Sequence, residues 1–443
     1  MHWFTTLTAA VAFAGSAAFA HPEPGVSPRQ AATPIPSSCP GVTARTQYRL
    51  SAATGWKYAL VASGLTKPRG VLFDTAGHLL VLEAGKGLTA HTIGSDGCIS
   101  SSKTVIATSQ LNHGLALSPD GKTVYVSAPG TAWSFDYDAT TQTATNQKVI
   151  VKDMYPGGHS TRTLAVPPNN PNLLIVSLGS NGNIDSPTEK KETGRAIVKV
   201  FDLSKTPSGG YSYNTQGWYL GYGLRNEIAI VFDGNNEVWG VENSGDQLAR
   251  TVNGRSVDVH IDNPAEELNY LGDPSKSNEN WYGYPTCWTI GPGGTSVFAD
   301  KAFKVGQQFV QAPNTTFNDD SCAQKSVPPR LAIQAHSAPI DGKFDKEFAN
   351  MYVSLHGSWN RQPATGYKVI QIPFTTLNDS RYDPVASQDT VNGYSDILWT
   401  QNEGSCSGNT CLRPTGIAWH PDFSRMYVAS DGSVGELYIL YKA

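Results

Sequence analysis

One short pattern recurs six times along this chain: an apolar strand, a turn built from Gly, Asp, Asn or Pro, and a second apolar strand closing near Gly. It reads GVLFDTAGHLLVLEAG at Gly70–Gly85, GLALSPDGKTVYVSAPG at Gly114–Gly130 and TLAVPPNNPNLLIVSLGS at Thr163–Ser180. It continues as IAIVFDGNNEVWGVENSG at Ile228–Gly245, SAPIDGKFDKEFANMYVSLHGS at Ser337–Ser358 and GIAWHPDFSRMYVASDG at Gly416–Gly432, the fifth copy being degenerate in its first strand. Material for a third strand follows several copies, as in AIVKVFDL after the third and GYKVIQIPF after the fifth. Repeats about 40 residues or more apart, each strand–turn–strand, are the mark of a propeller with one four-stranded sheet per repeat. The fold class expected is therefore all-β, a six-bladed propeller with four-stranded antiparallel blades. A seventh blade would have to hide between Arg250 and Pro329, a stretch read here as an insertion covering one face. A sandwich or a pair of barrels would leave the shared signature unexplained.

The repeat also says where function lies. In a propeller the innermost strand runs along the axis, and the second strand returns to the starting face. Residues just before strand one and just after strand two therefore share one end of the axis, and tight turns such as Pro119-Asp120-Gly121 share the other. Before strand one stand Arg69, His113, His159 with Arg162, Arg225 with Asn226, His336 and Arg413. After strand two stand Glu83, Asn243-Ser244-Gly245, His356 with Trp359 and Arg361, and Asp431. A single surface cation is a solvated bystander, and a single His is usually structural. Cationic types at the same place in repeat after repeat are different, because packed cations repel and lose hydration. The pattern calls for a compact ligand carrying several negative charges.

Composition adds the compartment. Charged residues are only 16 % of the chain and its formal net charge is −4, so nucleic acid and acidic membrane surfaces are not expected partners. The opening MHWFTTLTAAVAFAGSAAFA, with an apolar run from Leu7 to the small-x-small Ala18-Phe19-Ala20, reads as a signal peptide over residues 1–20, although it lacks Lys or Arg. Residues 21–45, rich in Pro, Ser and Ala, read as an extended N-terminal segment, and 46–443 as the propeller. No later segment approaches the roughly 18 apolar residues of a membrane span. A secreted, extracellular protein is expected, and a monomer.

Six cysteines suit that compartment. Proximity favours Cys406 with Cys411, Cys287 with Cys322, and Cys39 with Cys98, among fifteen arithmetical pairings. Sequons at Asn314-Thr315-Thr316 and Asn378-Asp379-Ser380 are glycosylation sites in a eukaryotic host.

Several segments together resemble a known family, the PQQ-dependent soluble aldose and sorbosone dehydrogenases, and within it the secreted fungal pyranose dehydrogenases. They are KPRGVLFD at Lys67, GGHSTRTLAV at Gly157, GLRNEIAIVF at Gly223, WYGYP at Trp281, HSAP at His336, LHGSWNR at Leu355 with a following GYKV, and LRPTGIA at Leu412. Each is weak alone, but as an ordered set they span nearly the whole chain beyond residue 50. The resemblance implies pyrroloquinoline quinone (PQQ), a flat quinone with three carboxylates, as the anion, and a sugar as the substrate. It places His159 as the catalytic base, a role suited to an imidazole whose ordinary pKa lies near 6.5. Arg225 takes the place of the cation beside the reactive carbonyl, with Asn226 next to it. Main-chain carbonyls at Ser244 and Gly245 fall where the family holds Ca²⁺, an ion that takes hard oxygen ligands. The bacterial glucose enzymes have Gly-Pro there, so the ligand set departs from theirs. His336 and His356 match positions that meet cofactor carboxylates. Arg69, Arg361 and Arg413 are further carboxylate partners, with His113 and Arg162 near them in the repeat. Trp359 and Trp281 are candidates to line the sugar or the quinone plane, with blade packing the alternative for Trp281.

Fungal relatives can carry a haem domain and a carbohydrate-binding module; the chain closes on the sixth blade, so a separate electron acceptor is expected: a secreted cytochrome, a copper oxidase or a small mediator. Two rival readings remain in other classes. A Ca²⁺-dependent propeller lactonase would want acidic and amide side chains around an axial metal, whereas Glu83 and Asp431 are the obvious carboxylates here. A non-catalytic carbohydrate-binding propeller would repeat exposed aromatics rather than cations.

Overall fold

The computed structural model describes Met1 and residues 35–44, 49–408, 410–432 and 434–443. The expected signal peptide, apart from Met1, and residues 21–34 and 45 of the N-terminal segment lie outside the described residues.

Each copy of the sequence pattern forms the two inner strands of one antiparallel sheet. The blades are Pro68–Phe73, Leu79–Glu83, Gly87–Ile93 and Ile99–Ala107 (blade 1), then Leu115–Leu117, Thr123–Ser127, Ala132–Asp138 and Thr143–Lys152 (blade 2). Blade 3 is Leu164–Ala165, Leu173–Leu178, Ile197–Asp202 and Trp218–Tyr222; blade 4 is Glu227–Phe232, Val238–Glu242, Glu266–Gly272 and Leu331–Ile333. Blade 5 is Pro339–Phe344, Asn350–Leu355, Lys368–Thr376 and Ser395–Thr400. Blade 6 is Pro414–Trp419, Arg425–Ser430, Gly435–Lys442 and, from the other end of the chain, Trp56–Leu65. The innermost strands neighbour one another in cyclic order, so the six sheets form a closed ring.

The core explains why these strands read as unbroken apolar runs. Every inner sheet is covered on both faces, so both alternating sets of side chains are buried. In LLVLE, Leu80 and Leu82 pack with Val124 and Val126 of blade 2. Leu79 and Val81 pack the other way, on Tyr427 and Ile439 of blade 6. Ile175 of blade 3 meets Val238 of blade 4, while its neighbours Leu174 and Val176 meet Tyr125 of blade 2.

The first strand of the fifth repeat, degenerate in sequence, is a full six-residue strand. One sequence expectation needs correcting here. The stretch Arg250–Pro329 is not one insertion, because EELNYLG is the third strand of blade 4. What projects is a hairpin (Ala249–Val252 with Arg255–Asp258) and a subdomain between the third and fourth strands. The latter holds a second hairpin, Cys287–Thr289 with Gln308–Val310, and the helix Asp319–Lys325. The disulfide Cys287–Cys322 ties that hairpin to the helix. Cys39–Cys98 and Cys406–Cys411 are the other two disulfides, all three as proximity favoured. Among the described residues no helix is long and apolar enough to cross a membrane.

Candidate active site

The loops entering the first strands and leaving the second strands meet at one end of the axis. In the loop before blade 3, Arg162 is wholly buried. Its Nε donates to the Pro129 carbonyl (2.9 Å), its Nη1 to those of His159 (2.7 Å) and Thr161 (2.6 Å), and its Nη2 to Tyr155. Four main-chain acceptors take four of the five guanidinium N–H groups, so Arg162 fastens the His159 loop.

His159 Nδ1 lies 3.0 Å from the Ser180 carbonyl, and its backbone N–H donates to the same oxygen. A carbonyl only accepts, so Nδ1 carries the proton and Nε2 is left as a lone pair with no protein partner among the described residues. Burial, and then the charge of Arg225, lower the imidazole pKa from 6.5 to about 4. Gly179 makes the approach possible: a Cβ there would stand 2.7 Å from His159 Cβ and 2.6 Å from Asn226 Oδ1.

Arg225 is buried and clamped. Its Nε donates to the Asn183 carbonyl (3.1 Å), Nη1 to that of Asn243 (3.2 Å), and Nη2 to Asn183 Oδ1 (3.0 Å) and Asp246 Oδ2 (2.9 Å). Asn226 reaches Asn243 Oδ1 at 3.4 Å. Asp246 Oδ1 also accepts from Asn360 Nδ2 (2.7 Å), and the same amide nitrogen lies 3.1 Å from His336 Nδ1. His336 Nε2 bonds the His260 carbonyl. The Ser244 N–H donates to Glu266 Oε2 (2.7 Å), and Gly245 sits so tightly on Trp288 that a Cβ would meet the indole at 2.6 Å.

Blades 5, 6 and 1 supply a second cluster. Asp431 accepts from Arg69 Nη1 (2.7 Å) and from His356 Nε2 (2.5 Å). His356 Nδ1 is 2.8 Å from Arg413 Nη2. Burial opposes the charge on Asp431, but the His356 hydrogen bond and Arg69 hold it well below the usual carboxylate range. Burial also outweighs Asp431 at His356 and lowers its pKa to about 4. Arg361 pairs with Asp262 at 3.3 Å, and the Trp359 side chain beside it stands 72 % exposed.

These contacts revise the charge argument. The four histidines are held neutral by burial, and Asp246, Asp262 and Asp431 stand among the arginines. His336 and His356 have both ring nitrogens engaged by protein and orient Asn360 and Arg413. The demand for a ligand comes instead from donors with no hydrogen-bond acceptor among the described residues: Arg361 Nε and Nη1, and Arg413 Nη1, all buried. Orphaned guanidinium nitrogens are costly unless an anionic oxygen meets them. That donor set fits a polycarboxylate. Among the described residues no group of three His, Cys, Asp or Glu side chains is placed to hold a metal.

His113 is set apart. Its Nε2 lies 3.2 Å from Thr163 Oγ1, and with Arg69 it closes the inner end of a cavity opening on the opposite face. Trp281, in turn, is a packing residue, its Nε1 donating to the Tyr284 carbonyl (2.8 Å) and its ring against Phe317. Sequence reasoning missed Asn183, Asp246, Asn360 and Asp262. The first three follow second strands, so the positional rule used for His356 would have found them. Asp262 comes from the projecting segment and carries no such signal.

Fold and site together define a six-bladed propeller with an axial small-molecule site. The TrAA12-like family model matches residues 50–443, and the chain belongs to that family. The pyrroloquinoline quinone-dependent pyranose dehydrogenase of Coprinopsis cinerea is 42 % identical over 409 residues, covering 91 % of this chain and 56 % of that protein. This chain therefore spans little more than half the length of that relative. A pyrroloquinoline quinone-dependent sugar dehydrogenase of Hypocrea jecorina is 35 % identical over 405 residues, 88 % of this chain and 89 % of that protein. Among solved structures, the holo PQQ domain of the Coprinopsis enzyme superposes with a TM-score of 0.88 at 42 % identity, covering 91 % of this chain and 100 % of that one. A calcium structure of a Trichoderma reesei family AA12 carbohydrate-active enzyme gives 0.84 at 33 %, covering 92 % and 100 %. The resemblance drawn from the motifs falls on these same proteins.

Proposed function

We propose that this chain is a secreted, PQQ- and Ca²⁺-dependent oxidoreductase that oxidises a sugar and passes the electrons to a separate acceptor. The observation that carries the reading is His159: an imidazole kept neutral, its tautomer fixed by Ser180, with Nε2 unprotonated beside a clamped arginine. Identity to quinone-dependent sugar dehydrogenases over nine-tenths of the chain supports the substrate class.

His159 Nε2 takes the proton from the sugar hydroxyl that is oxidised. Arg225 supplies a fixed cation, preorganised by Asn183 and Asp246, where negative charge develops. Arg361 and Arg413 would hold carboxylates of the cofactor through their open donors, and Ser244 and Gly245 would hold Ca²⁺ through main-chain oxygens. The bound quinone would supply the hydride acceptor, polarised by the metal. Trp359 offers an exposed indole face to a pyranose ring. The leader at residues 1–20 would direct the protein out of the cell, and its disulfides suit that destination.

The test is titration of the Ca²⁺-loaded protein with PQQ, followed by a panel of free aldoses and ketoses with a dye acceptor. Stoichiometric binding and sugar-dependent dye reduction are expected. Failure to bind PQQ with or without Ca²⁺ would return the lactonase and carbohydrate-binding readings.

A further inference from the structure

Ser180 and Asn183 hold the two groups assigned to the chemistry, His159 and Arg225, and both stand on one short loop. Asn181, Asn183 and Ile184 are exposed, so little apolar burial keeps that loop in shape. Its form depends on polar fastenings, and these converge on two buried side chains, Asp185 and Tyr284. Asp185 Oδ2 accepts from the Asn181 N–H (2.9 Å) and from Arg195 Nε (2.7 Å), and its Oδ1 accepts from Arg195 Nη2 (2.9 Å). The Asp185 N–H donates to Tyr284 Oη (2.6 Å). Burial raises the pKa of that phenol, so the hydroxyl keeps its proton, which the carbonyls of Asn183 (3.3 Å) and Gly182 (3.4 Å) share.

The loop reaches His159 by direct packing as well as through Ser180. A Cβ on Gly158 would stand 2.4 Å from Asn181 Cα, so the loop bears on the residue just before the imidazole. Ser180 Oγ, 3.0 Å from His159 Nδ1, in turn donates to the Gly182 carbonyl (2.7 Å). On the other side, Asn183 Oδ1 accepts from Arg225 Nη2 and from the Asp246 N–H (2.7 Å). Tyr284 is itself well anchored. Its N–H donates to the Gly223 carbonyl (3.0 Å), and its ring meets Trp288 edge-on at 5.6 Å. It belongs to the WYGYP segment, between the strand Asn278–Trp281 and the hairpin of the projecting subdomain.

We propose that Tyr284 is a positioning residue for the sugar oxidation, its hydroxyl and the Asp185–Arg195 pair fixing the loop from which His159 and Arg225 both take their orientation. The inference rests on the part given to His159 in that reaction. It adds a role for the projecting subdomain, which braces the base from outside.

The test is Tyr284→Phe, which keeps the ring and removes the hydroxyl, with folding checked by circular dichroism. In the protein without cofactor, nitrogen NMR of the histidine rings, assigned with His159→Gln, is expected to show one His159 tautomer in the parent chain and a mixture in the variant. In the PQQ-loaded protein the variant is expected to lose kcat about tenfold to a hundredfold with KM for the sugar unchanged, as misplaced reacting groups require. Arg195→Gln, which releases Asp185, is expected to reproduce both effects. Arg195→Lys should restore part of the rate, because an ammonium keeps the ion pair without the bidentate fork. A single His159 tautomer in the folded Tyr284→Phe variant would overturn the assignment, as would an unchanged kcat or a loss confined to KM. Should the chain bind no PQQ, the proposed reaction fails, and the ring-nitrogen spectrum alone decides whether Tyr284 fixes the imidazole.

Discussion

The protonation of His159 can be measured without cofactor or substrate. Burial and Arg225 place its pKa at about 4 against an ordinary 6.5. At pH 5.5 an unperturbed imidazole would be about 9 % neutral, whereas one titrating near 4 would be about 97 % neutral, a tenfold difference in available base. The same gap corresponds to ~3 kcal/mol of linkage. Its sign follows from which state takes up the proton: below pH 6.5 the unfolded chain protonates while the native ring does not. This contribution is therefore whole above pH 6.5 and is lost as pH falls from 6.5 toward 4. The assay is a proton NMR titration of the histidine ring signals, with His159→Gln identifying the resonance, run beside urea unfolding at the same pH values. The expected midpoint lies below 5.5. A midpoint near 6.5 would refute both the burial argument and the fixed tautomer.

Three further outcomes follow from the contacts. Arg413→Ala should weaken PQQ binding by about tenfold or more, the worth of a charge-assisted hydrogen bond; equal affinity in a direct titration would remove Arg413 from the site. Gly179→Ala should destabilise the protein by about 1–3 kcal/mol and depress turnover, because its methyl group would press on His159 and Asn226; unchanged melting and rate would show that the loop yields. Asp431→Asn should cost about 3 kcal/mol by leaving Arg69 unpaired at a site only 13 % exposed, read as a lower urea midpoint at pH 7.

The blades were legible in the sequence because inner strands covered on both faces become apolar runs, and the turns between them need Gly, Asp or Asn. EELNYLG escaped because Glu266, Glu267 and Asn269 are buried yet polar, held by a network that no hydropathy pattern reveals. Likewise the site's basic residues could be placed by their position in the repeat, but not their partners. Asp431 and Arg69 pair across 362 positions, and Asn360 meets Asp246 across 114. Arg162 shows the limit most clearly. Its residue type and position matched those of a ligand-binding arginine, and only its main-chain acceptors make it a fastener.

Blade 6 draws its outer strand from the opposite end of the chain, with Leu65 facing Gly435 roughly 370 residues later. The ring therefore closes like a clasp. Loop-closure entropy grows only logarithmically with length, so joining such distant segments costs just about 2 kcal/mol more than closing a loop of one repeat. The consequence is temporal: Arg69 lies beyond the first half of the clasp and Asp431 just before the second. Their pairing awaits the strand Gly435–Lys442, so a growing chain carries an unfinished ligand site until that strand emerges.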